Sequence, residues 1–267
     1  MNKIEICNNM KKSIRHIIID NGKKILSAGT GVVIKEDGTL ITAKHIIETE
    51  GMGIFHGKIL VKGLETEQLE YQPVIYNFGF NINSPEFIKP IDIDLTILKP
   101  VKKIEKAEFI SLYRGIVEVG TDILMAGFPD DVDLPFNFLD KLNSNNPEIK
   151  KVEQQINNRF KYFFRQLMFK HGIIGNSQKI KLNNFDVSKL GIEKLKTINV
   201  IGATYWIDNQ LTYGGSGGPI VNLGGELLGI VCQKAFTGVK KPDVKEVPSG
   251  TGMGLSHQLI SWIVDYV

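Results

Sequence analysis

Cysteine is scarce in this chain of 267 residues, which contains only Cys7 and Cys232. Two cysteines permit at most one disulfide, so a fold that depends on a framework of disulfides is excluded. We expect the N-terminus around Cys7 to be loose, and Cys232 lies in an apolar run typical of a strand. Both are therefore predicted to be free thiols, which fits a reducing compartment.

Long apolar segments are also lacking. No stretch approaches the ~18 apolar residues of a membrane span, and the first ten residues contain no apolar run long enough for a signal peptide. We therefore expect a cytoplasmic protein that does not contact a membrane. The formal net charge is only +3, which gives no reason to expect a nucleic-acid partner.

Motifs for several chemistries are absent. The segment Gly29-Thr30-Gly31 lacks the third glycine of a dinucleotide fingerprint, and no Gly-Lys-Ser/Thr phosphate loop occurs. No spacing of cysteine and histidine suggests zinc. We accordingly expect neither a cofactor nor a metal.

Glycine, in contrast, is abundant: the chain has 27 glycines, above the usual share of ~7%, as suits a β protein rich in turns. Four of them surround Ser216 in the segment 214–219, Gly-Gly-Ser-Gly-Gly-Pro. One interpretation is a plain turn between two strands. The other is a serine nucleophile that stands beside backbone N–H groups aimed at a reacting carbonyl.

Two further segments favour the nucleophile. A strand at 29–34, an Asp-Gly turn and a second strand predict a β-hairpin that leads directly to His45. The apolar run at 95–98 is preceded by two acids, Asp92 and Asp94, which lie on the same side of a strand. A serine hydroxyl needs a base such as histidine, whose far N–H is held by a carboxylate.

Taken in order, these segments resemble the trypsin-like (chymotrypsin-fold) serine proteases, and among them the bacterial HtrA/DegP-like branch. The blocks that carry the likeness are 29–45, 94–98, 119–129, 214–231 and, more weakly, 171–175 and 252–255. The resemblance implies a mainly β fold of two six-stranded antiparallel β-barrels. It implies a first barrel over residues 1–110 with His45 and Asp94, and a second over 111–267 with Ser216.

The resemblance also implies roles at the site. His45, Asp94 and Ser216 would form a catalytic triad, and Asp94 is favoured over Asp92 because it immediately precedes the apolar run, as the family's aspartate does. The N–H groups of Gly214 and Ser216 would form the oxyanion hole. Gly215 stands where animal trypsins have an aspartate that pairs with a new N-terminus, so activation by N-terminal cleavage is not expected.

A strand over 228–234 looks like the one that pairs with an extended substrate, so we expect Cys232, Gln233 and Lys234 to contact the peptide. Cys232 is expected to be a packing residue and not a nucleophile. The specificity pocket would be built from Gln210 to Tyr213 and from 252–254. Asp208 is poorly aligned to select a basic side chain, so a small or medium apolar side chain is the expected preference.

Residues of about 130–200 look like an insertion. Apolar residues at helical spacing from Glu148 to Lys170 predict an amphipathic helix. It either packs on the second barrel or forms a lid, an oligomer contact or a docking surface for a regulatory partner protein. Its basic residues indicate a solvated face more than a nucleic-acid contact. A C-terminal helix is predicted over about 256–267, with no PDZ domain after it.

These features predict a serine endopeptidase that cleaves polypeptides through an acyl-enzyme intermediate. The alternative is a catalytically silent protease fold that binds peptides or partner proteins. A third interpretation is an effector whose activity waits for a partner bound at the insertion.

Overall fold

The protein is described here by a computed structural model. It describes the residues 1–49, 53–63, 67–76, 79–83, 88–129, 147, 166–183, 197–209, 214–236 and 248–264.

The chain begins and ends with a helix, α1 (Lys3–Ser13) and α2 (His257–Val264). The strands between them are β1 (Ile14–Asp20), β2 (Ile25–Val33), β3 (Leu40–Thr42), β4 (Glu48–Thr49), β5 (Gly53–Ile54), β6 (Lys58–Lys62), β7 (Leu69–Ile75), β8 (Gly79–Asn83), β9 (Ile88–Asp92), β10 (Thr96–Pro100), β11 (Asp122–Gly127), β12 (Met168–Asn183), β13 (Thr197–Ile207), β14 (Pro219–Asn222), β15 (Leu227–Phe236) and β16 (Pro248–Ser256). A 3-10 turn over Lys44–Ile46 follows β3.

Twelve of these strands close into two antiparallel barrels. The first has the order β1-β2-β3-β10-β7-β6 and the second has the order β11-β12-β13-β16-β15-β14. The pairs β4-β5 and β8-β9 form separate two-stranded sheets. The predicted fold class, two six-stranded barrels of the chymotrypsin type, is thereby confirmed.

The side chains of β1 alternate between the interior of the first barrel and its outer surface. Ile17 and Ile19 point into the barrel and belong to its interior core. Ile14 lies on the opposite face, where it joins a second apolar cluster with Val32. Side chains alternate between the faces of a strand, so an almost continuous isoleucine run serves two cores at once.

The larger apolar cluster lies between the barrels. It unites Val32 and Ile97 of the first barrel with Leu124 and Ile230 of the second, all of them buried. Burial of apolar surface contributes about 25 cal/mol per Å². This shared core therefore fixes the two barrels against each other, and with them the segments that carry His45 and Ser216.

The prediction of a loose N-terminus around Cys7 is wrong, because this segment forms the capped helix α1. Asn2 caps α1: its side chain accepts from the Glu5 N–H at 3.0 Å, and the Glu5 carboxylate accepts from the Asn2 N–H at 3.0 Å. Ile6 and Met10 are buried one helical turn apart in the inter-barrel core. The Asn-x-x-Glu pattern was the available signal for this helix.

The predicted insertion helix lies mostly outside the described residues. Pro147 is helical, and residues 148–165 lie outside the described part. From Met168 the chain is strand, so the prediction of a helix as far as Lys170 is wrong at its end. The failure of the helix prediction at residues 168–170 has a simple cause: these residues pair with β11. Strands β12 and β13 stay paired as far as Asn183, which lies opposite Thr197. Both flanks of residues 184–196 therefore belong to the second barrel.

The C-terminal helix is confirmed as α2, and residues 265–267 lie outside the described part. Within the described ranges, no helix is long and apolar enough to cross a membrane. Both cysteines are free thiols, as predicted.

Candidate active site

His45 lies where the first hairpin ends. After β3, Ala43 is fully buried and the chain enters the 3-10 turn, whose Ile46 packs against Gly29. A Cβ atom on Gly29 would lie 2.3 Å from Ile46 Cδ1, so a side chain there would displace that of Ile46. The side chain of His45 is left half-exposed, at 50%.

Asp94 is presented by a tight turn between β9 and β10. The Leu95 N–H donates to the Ile93 carbonyl at 2.7 Å, which closes a three-residue turn with Asp94 at its centre. Ile93 and Leu95 are buried on either side. The two apolar neighbours thus anchor the turn while the Asp94 carboxylate stays accessible.

The structure brings His45 and Asp94 together through two contacts. The His45 backbone N–H donates to Asp94 Oδ1 at 2.9 Å, and His45 Nδ1 lies 2.7 Å from Asp94 Oδ2. A carboxylate at Nδ1 favours the tautomer with its proton on Nδ1, so Nε2 carries the free lone pair. Asp92 ends β9 instead, with its backbone paired to Gly79.

Ser216 lies in a loop over residues 214–219, here called the glycine loop. Gly214 and Gly217 have φ values of +83° and +80°, which favour glycine. A Cβ atom on Gly217 would meet the Thr30 carbonyl oxygen at 2.0 Å and Thr42 Oγ1 at 2.2 Å. Only a residue without a side chain lets the loop approach the first barrel this closely.

Thr30 on β2 is the centre of the contact between the loop and both barrels. Its N–H donates to the Ser216 carbonyl at 3.0 Å, and its hydroxyl donates to the Gly214 carbonyl at 2.7 Å. The same hydroxyl accepts from the Phe128 N–H at 2.9 Å, and the Thr42 hydroxyl donates to the Thr30 carbonyl at 2.6 Å. Thr30 is fully buried.

Sequence reasoning missed Thr30 as a site residue. The only signal was a threonine between two glycines on a barrel strand, which is equally consistent with an ordinary strand position. Its role depends on contacts with residues about a hundred or more positions away, 98 to Phe128 and 184 to Gly214.

The second barrel holds the glycine loop from the other side. The Gly217 N–H donates to the Val231 carbonyl at 2.6 Å, and the Val231 N–H donates to the Gly218 carbonyl at 2.8 Å. No described residue accepts a hydrogen bond from the N–H of Gly214 or of Ser216. Both predicted oxyanion donors are therefore left available as far as the described part of the chain goes.

The family follows from sequence and architecture together. The sequence profile of the trypsin-like peptidase domain matches residues 29–230, which include His45, Asp94 and Ser216. The chain belongs to the trypsin-like peptidase family.

Solved structures agree in fold. The active form of the Rv3671c protease from Mycobacterium tuberculosis superposes with a TM-score of 0.58 at 17% identity, over 98% of this chain and 83% of the other. An inactive form of Rv3671c with a serine-to-alanine substitution gives 0.53 at 17% identity, over 98% and 89%. No curated protein sequence matches significantly.

Beside the glycine loop, this peptidase has a strand edge that no described strand pairs with. β14 pairs with β15 only as far as Ile230, opposite Pro219. Beyond it, Gln233 and Lys234 pair with β16 on one side, opposite Met253 and Gly252. No described strand pairs with the other edge of these two residues. Such an edge is where an extended peptide adds as a further strand.

Cys232 lies between this edge and Asp94. Its side chain is buried, and Sγ is 3.6 Å from the Asp94 carbonyl oxygen. Burial raises the pKa of the Cys232 thiol well above its usual value. The residue is therefore a neutral thiol packed against the turn that presents Asp94, and a role as nucleophile is disfavoured.

The predicted specificity pocket is only partly described. Gln210 and Tyr213 lie outside the described residues, as do the side chains of Gln233 and Lys234. Asp208 is used in the scaffold, because its Oδ1 accepts from the Ile173 N–H at 2.7 Å.

A second histidine–aspartate pair provides an internal comparison. His171 Nε2 lies 2.8 Å from Asp122 Oδ1, and the two side chains are 42% and 51% exposed. The pair joins β12 to β11, away from the glycine loop. Within the described ranges, no group of three or more His, Cys, Asp or Glu side chains could hold a metal.

Proposed function

We propose that this trypsin-like peptidase is an active serine endopeptidase in which His45, Asp94 and Ser216 form the catalytic triad. The observation that carries the proposal is the double contact between Asp94 and His45, next to a glycine loop tied to the same barrel through Thr30. Ordinary surface ion pairs do not require a backbone N–H and a ring nitrogen to share one carboxylate.

The proposed reaction gives each of these residues one role. Ser216 Oγ attacks the carbonyl carbon of the scissile peptide bond while His45 Nε2 takes the hydroxyl proton. Asp94 holds the imidazole in the reactive tautomer and stabilises its protonated form. The N–H groups of Gly214 and Ser216 bind the oxyanion; loss of one such donor typically raises the barrier by ~2.7–4 kcal/mol.

Acylation is completed when protonated His45 gives its proton to the departing amine, which leaves an acyl ester on Ser216. Deacylation repeats these proton transfers with water. Water then attacks the ester carbon while His45 takes one of its protons, and His45 returns that proton to Ser216 Oγ as the carboxylic acid is released. The substrate we propose is an extended polypeptide that lies along Cys232, Gln233 and Lys234, with a small or medium apolar side chain before the scissile bond.

Two further expectations remain predictions. One is a cytoplasmic location, and the other is control by a partner protein at residues 130–200. A regulated effector would hydrolyse peptides only after its partner protein is added, whereas an enzyme that is active alone would need no partner.

The test is covalent labelling with a fluorophosphonate probe, which reacts with activated serine nucleophiles. We expect the wild-type chain to be labelled, Ser216→Ala to be unlabelled, and His45→Ala to be labelled far more slowly. The matched control is His171→Ala, which removes a histidine of similar exposure that also pairs with an aspartate. It should label at the wild-type rate.

Equal labelling of Ser216→Ala and wild type would contradict the assignment of the nucleophile. A folded wild type that is never labelled, but that binds extended peptides, would instead support the silent binding module.

A further inference from the structure

The first barrel contains a cavity at one of its ends. Its volume is about 640 Å³, within the range of ~300–1,000 Å³ typical of ligand pockets. Its lining includes the apolar or aromatic residues Val61, Leu69, Tyr71 and Ile104, together with Arg15 and other polar residues. None of these residues belongs to the triad or to the glycine loop.

Arg15 reaches this cavity because of its place on β1. Ile17 and Ile19 point into the barrel core, so the alternation of the strand also directs Arg15 inward, at the end of the barrel. A cationic side chain at an inward position of a barrel is unusual, since arginine is almost never fully buried unless it is paired. Arg15 is only 8% exposed.

Among the described residues, the guanidinium of Arg15 has carbonyl partners and no acidic one. Its Nη1 donates to the Lys12 carbonyl at 2.7 Å and to the Ile14 carbonyl at 3.1 Å. The Nε and Nη2 N–H groups have no acceptor among the described residues, and no described carboxylate lies within ion-pair distance. Three of the five N–H donors are thus left to a ligand or to water.

Such an arrangement is electrostatically incomplete. A buried charge without a counter-ion is costly, and burial lowers the pKa of Arg15. The positive potential is reinforced by three lysines that line the cavity, against two glutamates. These residues are Lys11, Lys12, Lys106, Glu67 and Glu108.

We propose that this cavity binds a ligand with a carboxylate head and an apolar body, and that Arg15 holds the head. The free Nε and Nη2 groups form the planar edge that binds a carboxylate through two parallel hydrogen bonds. The apolar walls suit the rest of the ligand. The two glutamates disfavour a doubly charged phosphate, so a singly charged carboxylate fits the lining best.

The carboxylate can come from a free aliphatic acid or from the C-terminus of a peptide. Titration calorimetry on the full chain distinguishes the chemistry first. Octanoate should bind at least about tenfold more tightly than octanol, which has the same body without the charge; tenfold corresponds to ~1.4 kcal/mol. Arg15→Met should lose at least the same factor for octanoate, whereas Lys23→Met, which removes an exposed charge outside the cavity, should not.

A second pair of ligands identifies the source. Acetyl-Ala-Leu with a free C-terminus and its C-terminal amide differ only in the carboxylate. Tighter binding of the free peptide than of octanoate points to a chain terminus, and the reverse points to a free acid. Either result supports the site if the peptide amide binds at least tenfold more weakly than the free peptide.

The wild type alone provides a test that does not depend on the folding of Arg15→Met. The ¹⁵N resonance of the Arg15 Nε–H should shift on addition of octanoate and stay in place with octanol. The proposal is overturned if octanol binds as well as octanoate, if folded Arg15→Met binds octanoate like the wild type, or if no carboxylate binds.

Discussion

The hydroxyl of Thr30 donates a 2.7 Å hydrogen bond to the carbonyl of Gly214, although the two residues are 184 positions apart. Through this bond a strand of the first barrel holds the loop of the second barrel that carries Ser216. The backbone bond from Thr30 to Ser216 runs beside it. Thr30 is in this sense a positioning residue for Ser216, the proposed nucleophile.

Replacement of Thr30 tests this relationship. Thr30→Val keeps the shape and leaves the Gly214 carbonyl and the buried Phe128 N–H without their partner. A buried polar group left unpaired costs about 1–3 kcal/mol, so the free energy of unfolding in urea should fall by that order. We also expect fluorophosphonate labelling of Ser216 to slow by about tenfold or more, equivalent to ~1.4 kcal/mol in the barrier.

Thr30→Ser is the matched variant, because it retains the hydroxyl and should restore the labelling rate. Loss of stability in Thr30→Val with labelling at the wild-type rate would mean that Thr30 is structural only.

Gly217 should be intolerant of any side chain. Gly217→Ala places a Cβ atom against the backbone of β2 and also imposes φ near +80° on an alanine. The control is Gly22→Ala, which has nearly the same φ of +82° and nothing within 4 Å of the added Cβ. The left-handed conformation alone costs ~1–2 kcal/mol.

We therefore expect Gly22→Ala to lose about that much in urea unfolding, and Gly217→Ala to lose clearly more and to label poorly. Equal losses in the two variants would show that the loop can retreat from β2.

Asp94 and Asp92 can be separated by a single change in each. Asp94→Asn retains the size of the side chain but removes the charge that selects the His45 tautomer. We expect the labelling rate of Ser216 to drop by up to ~10⁴-fold, the effect known for a triad aspartate. Asp92→Asn should leave the rate near that of the wild type. The opposite pattern would assign the triad to Asp92.

The docking of α1 should contribute to global stability. Met10 is 1% exposed in the inter-barrel core, so Met10→Ala should lower the free energy of unfolding by about 2–5 kcal/mol. Ile4 on the same helix is 73% exposed, and Ile4→Ala should stay within about 0.5 kcal/mol of the wild type. Urea unfolding of both variants checks this; similar values for the two would mean that α1 does not pack as described.

His257 should make stability depend on pH. The ring is buried, with Nε2 3.0 Å from the Gly115 carbonyl oxygen and Nδ1 3.1 Å from the Tyr205 hydroxyl. Burial lowers the pKa of His257 below its ordinary value. The unfolded chain then binds a proton more readily than the folded one, so stability is complete above about pH 6.5 and is lost as the pH falls below it.

Thermal or urea unfolding between pH 8 and pH 5 measures this effect. His257→Gln, which can keep one donor and one acceptor, should flatten the acid side of the profile. His171→Gln changes an exposed ring and serves as the control. An acid profile that is unchanged in His257→Gln would contradict a buried neutral imidazole.

Several elements could be predicted because their signals are local. The hairpin before His45 was evident from its content of Val, Ile and Thr and from an Asp-Gly turn, and the Ser216 loop from its glycines. The helix α1 was missed although its capping box and the spacing of Ile6 and Met10 were present, because a short polar terminus offers little apolar periodicity. The helix predicted to Lys170 ran too far, because an apolar run of this kind suits a strand as well as a helix.

The amino-acid sequence by itself determined the two barrels and indicated the candidate triad residues, since strand composition, turns and the residues of each motif are local features. Only the tertiary structure decided that Asp94 meets His45, that Thr30 ties the glycine loop to both barrels, and that Arg15 points into a barrel without an acidic partner among the described residues. The contacts of Asp94 and of Thr30 join segments that are 49 to 184 residues apart in the chain. They form when packing of the shared core sets the barrels against each other.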